Sequence, residues 1–288
     1  MAVPAGPTVR RLQLGSELRR SREKAGLTLA EAVEGLALSV TKLYRLENGL
    51  TALRSAAELH VLLDRYGVEG QEDVDFLTEL HRDSLSRGWW SRYRGVMPRG
   101  MAMYVGLETG ARAIRAWQPN AVLPLLQTER YVREMLQSAK PTEEHTTEFV
   151  ERSIQLRMER KERLTRGAGG PDLWCVLDEA ALRRTVGGPD VMREQYEEII
   201  RLTALANVTV QILPLNIATY RSGTAFTLLE LEAPSLTVVR TDSGDGGSNV
   251  SDKDSAIWAF ARRFDALRAG ALAPGETPAL LRRIAAEI

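Results

Sequence analysis

Leu43-Tyr44-Arg45-Leu46-Glu47-Asn48-Gly49 decides the reading of the N-terminal part of this chain. Leu43 and Leu46 fall at the spacing of one helix face, and Gly49 supplies a stop. Upstream lies an Arg-rich amphipathic stretch from Leu14 to Ala25. It carries Leu14, Leu18 and the alkyl stem of Arg22 on one face and ends at Gly26. Thr28 and Glu31 then form an S/T-x-x-E capping box, with Leu27 as the apolar residue before the cap. The pattern predicts a short helix over Leu29–Gly35, a tight turn, and a helix over Val40–Asn48 capped by Ser39 and closed by Gly49. Two short helices joined in this way form the unit that presents its second helix to the DNA major groove. A second capping box, Ser55 with Glu58, opens a further helix from Ala56 to Tyr66.

The block from Leu14 to Val68 resembles the helix-turn-helix domain of the phage-repressor, or xenobiotic-response-element, type. The match rests on Leu-Arg-x-x-Arg-x-x-x-Gly-Leu-Thr at Leu18–Thr28 and Leu-x-x-Leu-Glu-Asn-Gly at Leu43–Gly49.

Composition bounds the rest. The 288 residues suffice for two domains. The 38 basic and 38 acidic side chains cancel, so no global field drives the chain to nucleic acid or membrane. Locally the balance differs, with ten Lys/Arg against seven Asp/Glu between Met1 and Tyr66, and five Arg against Asp83 alone between His81 and Gly100. A modestly basic module on a neutral protein fits a specific regulator better than a nonspecific coating protein. Cys175 is the single cysteine, which excludes an intrachain disulfide and points to a reducing cytoplasm. The apolar run at Ala121–Leu126 is far too short to span a bilayer, and the N-terminus carries no secretory h-region.

Along the chain, residues 1–11 read as a flexible leader whose Arg10 and Arg11 lie near a phosphate. Residues 12–68 read as the helix-turn-helix domain, 69–90 as a helical linker carrying Val74, Leu77 and Leu80, and 91–288 as a regulatory and dimerisation domain. In that last part helices are expected over Leu107–Trp117, Glu129–Ser138, Pro141–Arg166, Asp178–Thr185 and Asp190–Ala206. Ser251 caps a helix running to about Arg268, and Pro278 opens a last one. Strands are expected at Leu173–Leu177, Val208–Leu213, Ala225–Leu231 and Leu236–Thr241, with Ala233-Pro234 turning between the last two. The fold class is mainly α: an N-terminal all-α helix-turn-helix domain plus a C-terminal α+β domain with a small mixed sheet.

The second part resembles the C-terminal domain of actinobacterial WhiJ-like, or antitoxin-like, transcriptional regulators. The likeness is carried in order by Gly88-Trp89-Trp90, Tyr104-x-x-Leu107-Glu108, Leu125-Leu126-Gln127-Thr128-Glu129-x-Tyr131, Leu177-Asp178-Glu179-Ala180-Ala181-Leu182-Arg183-Arg184, Gly187-Gly188, Val210-x-x-Leu213-Pro214 and Phe226-Thr227-Leu228-Leu229. This resemblance implies sequence-specific transcriptional control and, often, a small protein partner encoded nearby. Two places depart from the family pattern: Leu123-Pro124 stands where Pro-Gly is usual, and Arg240-Thr241-Asp242 where Tyr-x-Glu is typical.

The first resemblance also implies which side chains meet double-stranded DNA. Ser39, Val40, Thr41, Lys42, Tyr44 and Arg45 lie at the start of the recognition helix. Arg45 is suited to bidentate bonding to guanine, Thr41 to a hydrogen bond or a thymine methyl, and Val40 to apolar contact; Lys42 and Tyr44 serve bases or phosphates. Thr28 and the amides at the second helix's start suit a phosphate, and Arg54 and Ser55 sit where the following loop approaches the backbone. Leu29 replaces a common Gln, and Leu50-Thr51-Ala52-Leu53 replaces a loop that is often basic. These departures keep open an alternative, an antitoxin-like partner-binding protein with weak or vestigial DNA binding.

Other residues read as structural. Arg22 and Glu47 form an ion pair across helices, Leu18, Leu36, Leu43, Leu46, Leu59 and Leu62 make core, and Arg19 and Arg20 belong to a solvated face. His60, His81 and His145 are scattered away from metal-ligand spacing, and Cys175 lies in a buried strand. Asp242-x-x-Asp245-Gly246-Gly247-Ser248-Asn249 lacks the alternation of a calcium loop and reads as a turn. The Gly-Gly-Pro-Asp stretches at Gly169 and Gly187 lack a phosphate loop's Lys-Ser/Thr and read as helix entrances. Trp89, Trp90, Tyr93 and Trp117 read as core packing, with closure of an interdomain interface or the lining of a pocket as the alternative, and Asp178, Glu179, Arg183 and Arg184 as helix-surface pairs. No catalytic residue, cofactor or metal is expected. The reading is a cytoplasmic regulator acting as a homodimer, with a C-terminal domain that senses a small protein or a ligand.

Overall fold

A computed structural model describes residues 6–139, 141–143, 145–166, 169–232, 236–242 and 247–288. The chain divides at Trp89/Trp90 into two compact units.

The first unit is five helices: α1 (Pro7–Lys24), α2 (Leu29–Val33), α3 (Val40–Glu47), α4 (Ala56–Arg65) and α5 (Gln71–Ser84). Pro7 stands at the first position of α1, where a missing N–H costs nothing. Residues 7–11 are therefore helix rather than leader, with Thr8 and Val9 buried, while residues 1–5 lie outside the described residues. Arg10 turns to Gln13 (3.2 Å) and Asp83 (3.7 Å), so the expected phosphate neighbour is a protein carboxylate. The segment read as a linker is an integral part of this unit. Leu77 and Leu80 of α5 enter the same core as Leu14, Leu18, Leu43, Leu46, Leu59 and Leu62, because their i, i+3 spacing makes one apolar stripe.

The second unit holds a six-stranded mixed sheet in the order β3-β2-β1-β4-β5-β6, larger than the small sheet expected. Its strands are β1 (Ala111–Gln118), β2 (Asp172–Asp178), β3 (Val208–Leu213), β4 (Phe226–Leu231), β5 (Leu236–Asp242) and β6 (Ser248–Ser251). β1 pairs in parallel with β2 and antiparallel with β4, so it is the pivot of the sheet. The helix expected over Leu107–Trp117 is instead α6 (Met101–Thr109), a stop at Gly110, and this central strand. Ile114, Ala116 and Trp117 are all fully buried; a strand covered on both faces loses the polar–apolar alternation that would betray it.

The remaining helices are α7 (Glu129–Ser138), α8 (Thr147–Thr165), α9 (Glu179–Arg183), α10 (Pro189–Thr203), α11 (Asp254–Gly270) and α12 (Thr277–Ala286). α8 starts six residues later than Pro141 because the Thr146 hydroxyl accepts the Phe149 amide and caps it there. Ser251 ends β6 and accepts the Lys253 amide (3.3 Å), one step before α11, so it does not cap that helix. Gly169-Gly170-Pro171-Asp172 opens β2 rather than a helix; only the stretch at Gly187 leads into one. Ser248 and Asn249, read as turn, belong to β6, while Asp245 and Gly246, like the Ala233-Pro234 turn, lie outside the described residues.

Trp117, Val176, Phe226, Leu228 and Val239 of the sheet pack with Phe264 and Leu267 of α11. The Trp117 indole donates to the Ser222 carbonyl (2.8 Å), so its polar end is satisfied as burial requires. Asp178 and Glu179 are buried, not surface groups: Asp178 caps α9 and faces Arg221 (3.3 Å), while Glu179 accepts from the Leu215 amide (2.9 Å) and Arg183 (2.6 Å). Cys175 sits on β2 with no exposure, and burial pushes its thiol well above the usual range. Among the described residues no helix is long and apolar enough to cross a membrane.

Candidate nucleic-acid interface

α2, α3 and their turn form a helix-turn-helix whose ends are fixed by local chemistry. The Thr28 hydroxyl accepts the Glu31 amide (3.2 Å) and donates to Glu31 Oε2 (2.7 Å), which in turn accepts the Thr28 amide (2.8 Å). These bonds hold the Glu31 carboxyl below its ordinary range. Arg65 of α4 reaches the other end of α2, donating to the Glu31 carbonyl (2.7 Å) and thereby satisfying a terminal acceptor. A five-residue helix is below the length that stands alone; these two end contacts, with Ala32 buried beneath, keep it formed.

α3 is clamped at both ends. At its start the Ser39 hydroxyl accepts the Lys42 amide (3.1 Å), and Lys42 Nζ lies 3.2 and 3.3 Å from the two carboxylate oxygens of Glu58. Glu58 also accepts the Arg54 amide (3.0 Å), the largest reason its carboxyl is held below the ordinary range. At the far end Glu47 is buried and takes both Nε (2.7 Å) and Nη2 (2.9 Å) of Arg22, whose Nη1 donates to the Leu27 carbonyl (2.7 Å). The hydrogen bond to Glu47 raises the Arg22 guanidinium above its ordinary value. Arg19 joins the same end through Asn48 Oδ1 (2.7 Å), so it is tied to the helix terminus rather than merely solvated.

Packing between α1 and α3 is unusually close at Gly15. A β-carbon there would stand 2.5 Å from the Leu46 carbonyl oxygen and 2.7 Å from that of Glu47. Gly49 adopts φ +65°, and a β-carbon there would meet Leu12 at 2.7 Å, which is why glycine ends α3.

With Leu43, Leu46 and Glu47 turned inward, the opposite face of α3 carries Val40, Thr41, Tyr44 and Arg45. All four are exposed, Val40 to 43% and Tyr44 to 53%, figures high for large apolar and aromatic groups in a folded domain. Among the described residues, no protein group bonds the side chains of Thr41, Tyr44, Arg45 or Arg54. Three other predicted contacts are otherwise engaged: Thr28 in its capping box, Ser39 as helix cap and Lys42 with Glu58. The role of Glu58 was legible only as half of a capping box; its reach back to Lys42 crosses sixteen residues and needs the fold. Gly15 carried no sequence signal at all.

The three histidines are held separately. His81 is buried beside the Leu53 carbonyl (3.4 Å), His145 stacks on Phe149 and faces Glu143 (2.9 Å), and His60 is exposed. Among the described residues no group of His, Cys, Asp or Glu could hold a metal ion.

Residues 13–77 match a family model described as a helix-turn-helix domain, a span that takes in α5 up to Leu77. Neither a curated protein nor a solved structure matches the chain. Residues 101–283 match the model of a domain of unknown function, DUF5753, and since that span is most of its length, the chain belongs to the DUF5753 family and carries a helix-turn-helix domain before it.

Proposed function

We propose that this protein is a sequence-specific DNA-binding transcriptional regulator of the cytoplasm, acting as a homodimer on a pseudo-palindromic operator. The observation that carries the reading is the outward face of α3: Thr41, Tyr44 and Arg45 exposed and unpaired on a helix fixed at both ends. Holding side chains of this kind ready on a rigid helix lowers the ordering cost of contact. Arg45 presents a planar fork for guanine O6 and N7, and Thr41 a hydroxyl and a methyl for neighbouring edges. Tyr44 and Arg54 reach the phosphates. Lys42 contributes when a phosphate replaces Glu58 as its partner; Thr28 and Ser39 position the helices rather than the DNA.

The DUF5753 part dimerises and receives a signal, from a small protein or a ligand, that shifts the DNA-bound population. Such a signal works only through a difference in affinity between two states of the protein. No catalytic role is proposed for any residue. The alternative, an antitoxin-like partner-binding protein with weak DNA affinity, is favoured by one observation. The loop after α3 is apolar, with Leu50 exposed to 51% and Leu53 buried, where phosphate-binding cations would add affinity. A gel shift on the DNA upstream of the protein's own coding sequence, comparing wild type with Arg45→Ala, separates the two readings. Loss of the shift in the variant supports specific readout, and indistinguishable shifts reject it.

A further inference from the structure

Glu108 near the end of α6 and Arg160 of α8 form a second buried two-pronged pair, Nε to Oε1 at 2.7 Å and Nη2 to Oε2 at 2.8 Å. Arg160 is 3% exposed, yet its third nitrogen, Nη1, has no hydrogen-bond partner among the described residues. Both members of the pair line an open pocket of about 70 Å³, together with Arg163, Arg166, Ile114 and Leu125. A buried polar nitrogen without a partner is costly, and native structures rarely leave one unless something else supplies the acceptor.

Charge around the pocket is one-sided. From 157 to 166, along the C-terminal half of α8 and its capping residue, every third residue is arginine. Arg157 has a buried Nη1 without a partner and no ion pair among the described residues. Burial, then repulsion from Arg160, lowers its guanidinium to about 10. Arg163 faces Glu159 at 3.6 Å, and Glu159 also binds Arg92 and Tyr93 (3.0 Å). Arg166 is exposed; burial, and then the Arg166 charge, lower the Arg163 guanidinium below its ordinary value. Among the described residues Glu108 is the only carboxylate lining the pocket, against three guanidiniums.

We infer that this pocket binds a small organic anion, a single carboxylate or phosphate group on a compact apolar body. The oxyanion accepts from Arg160 Nη1 and is flanked by Arg163 and Arg166, while Ile114 and Leu125 take the apolar part. Guanidinium groups bond such oxyanions more strongly than neutral donors do, and a cavity walled by aliphatic carbon strengthens the attraction further. The site deepens the sensing half of the proposed function and rests on that reading for its regulatory meaning. Binding itself is measured without DNA, so failure of the site and failure of the regulator reading are told apart.

The test is calorimetric titration of the full-length protein, at fixed ionic strength, with inorganic phosphate in one arm and 2-methylpropanoate in the other. Saturable binding of at least one probe is expected, and the arm that binds identifies the headgroup. Arg166→Ala, at an exposed position that spares the fold, should weaken that binding about tenfold, the worth of one charge-assisted hydrogen bond. Arg160→Lys should abolish it; should that variant fail to fold, Arg163→Gln takes its place with the same expectation. Absence of saturable heat in both arms, or equal affinities in wild type and the Arg166→Ala and Arg163→Gln variants, would overturn the inference.

Discussion

Arg22 and Glu47 tie α1 to α3 through two parallel hydrogen bonds of 2.7 and 2.9 Å, both partners removed from solvent. Twenty-five residues separate them in sequence, so the pair closes the helical unit on itself and sets the tilt of the helix proposed to read DNA. Truncating one partner strands a buried charge, which costs about 3–5 kcal/mol. Arg22→Ala or Glu47→Gln should therefore lower the stability of the first unit by that order in denaturant unfolding. Replacing both at once, Arg22→Met with Glu47→Leu, should recover most of the loss. A single-site loss below about 1 kcal/mol would mean that the pair is not what holds α3.

Gly15→Ala offers a cleaner contrast, because intrinsic propensity and packing pull in opposite directions. Alanine favours a helix interior by about 1 kcal/mol over glycine. At this position its β-carbon would collide with the Leu46 and Glu47 carbonyl oxygens, which a backbone shift must relieve. Overpacking of this kind costs about 1–3 kcal/mol, so the expected outcome is net destabilisation and weaker DNA binding. Thermal unfolding of the variant decides the sign; a raised melting temperature would show that α1 and α3 are looser than described.

Glu58 gives the unit a dependence on acid. The Arg54 amide and then Lys42 lower its carboxyl below the ordinary value of 4.5, so the folded state binds this proton less readily than the unfolded chain. Its contribution is complete above the unfolded value and disappears as pH falls through the lower, folded one. Glu58 is partly exposed, so the effect is small. The melting temperature of Glu58→Gln should fall less steeply than that of wild type as pH drops below about 4.5. Parallel curves would assign the acid sensitivity elsewhere.

Cys175 should be silent towards thiol reagents in the native protein and react fully once unfolded. Its side chain has no exposure, and burial raises the thiol, suppressing the reactive thiolate. A colorimetric thiol assay with and without denaturant measures the difference; rapid native labelling would show that β2 opens readily.

Sequence exposed the parts of this fold that depend on neighbours in the chain. The capping box at Thr28, the cap at Ser55 and the stop at Gly49 rest on contacts within a few residues, and each lies where its pattern put it, except that Glu58 accepts the Arg54 amide and so leaves the box expected at Ser55 half formed; the strand Val208–Leu213 was legible from its own alternation. Arg22 with Glu47 was legible as well, because a charged residue interrupting an apolar helix face implies a partner. What stayed hidden depends on distant partners. β1 gave no alternating pattern because its buried residues, Ile114, Ala116 and Trp117, fall on both faces of the strand, and its alanines and arginines imitate a helix. α5 looked like a linker because its acidic first turn masks an apolar stripe with only a few members. At the candidate interface the exposed quartet of α3 was expected from the resemblance to the helix-turn-helix family. The engagement of Lys42 by Glu58 and the pocket beside Arg160 emerge only when remote segments meet.

The most direct test of the account is Arg45→Ala in a quantitative binding assay against operator and scrambled DNA at one salt concentration. Losing a bidentate guanine contact costs about 1–3 kcal/mol, roughly a ten- to hundredfold weakening on operator. The account predicts that loss together with nearly unchanged affinity for scrambled DNA and an unaltered melting temperature. Equal weakening on both DNAs, or no weakening on either, would contradict it.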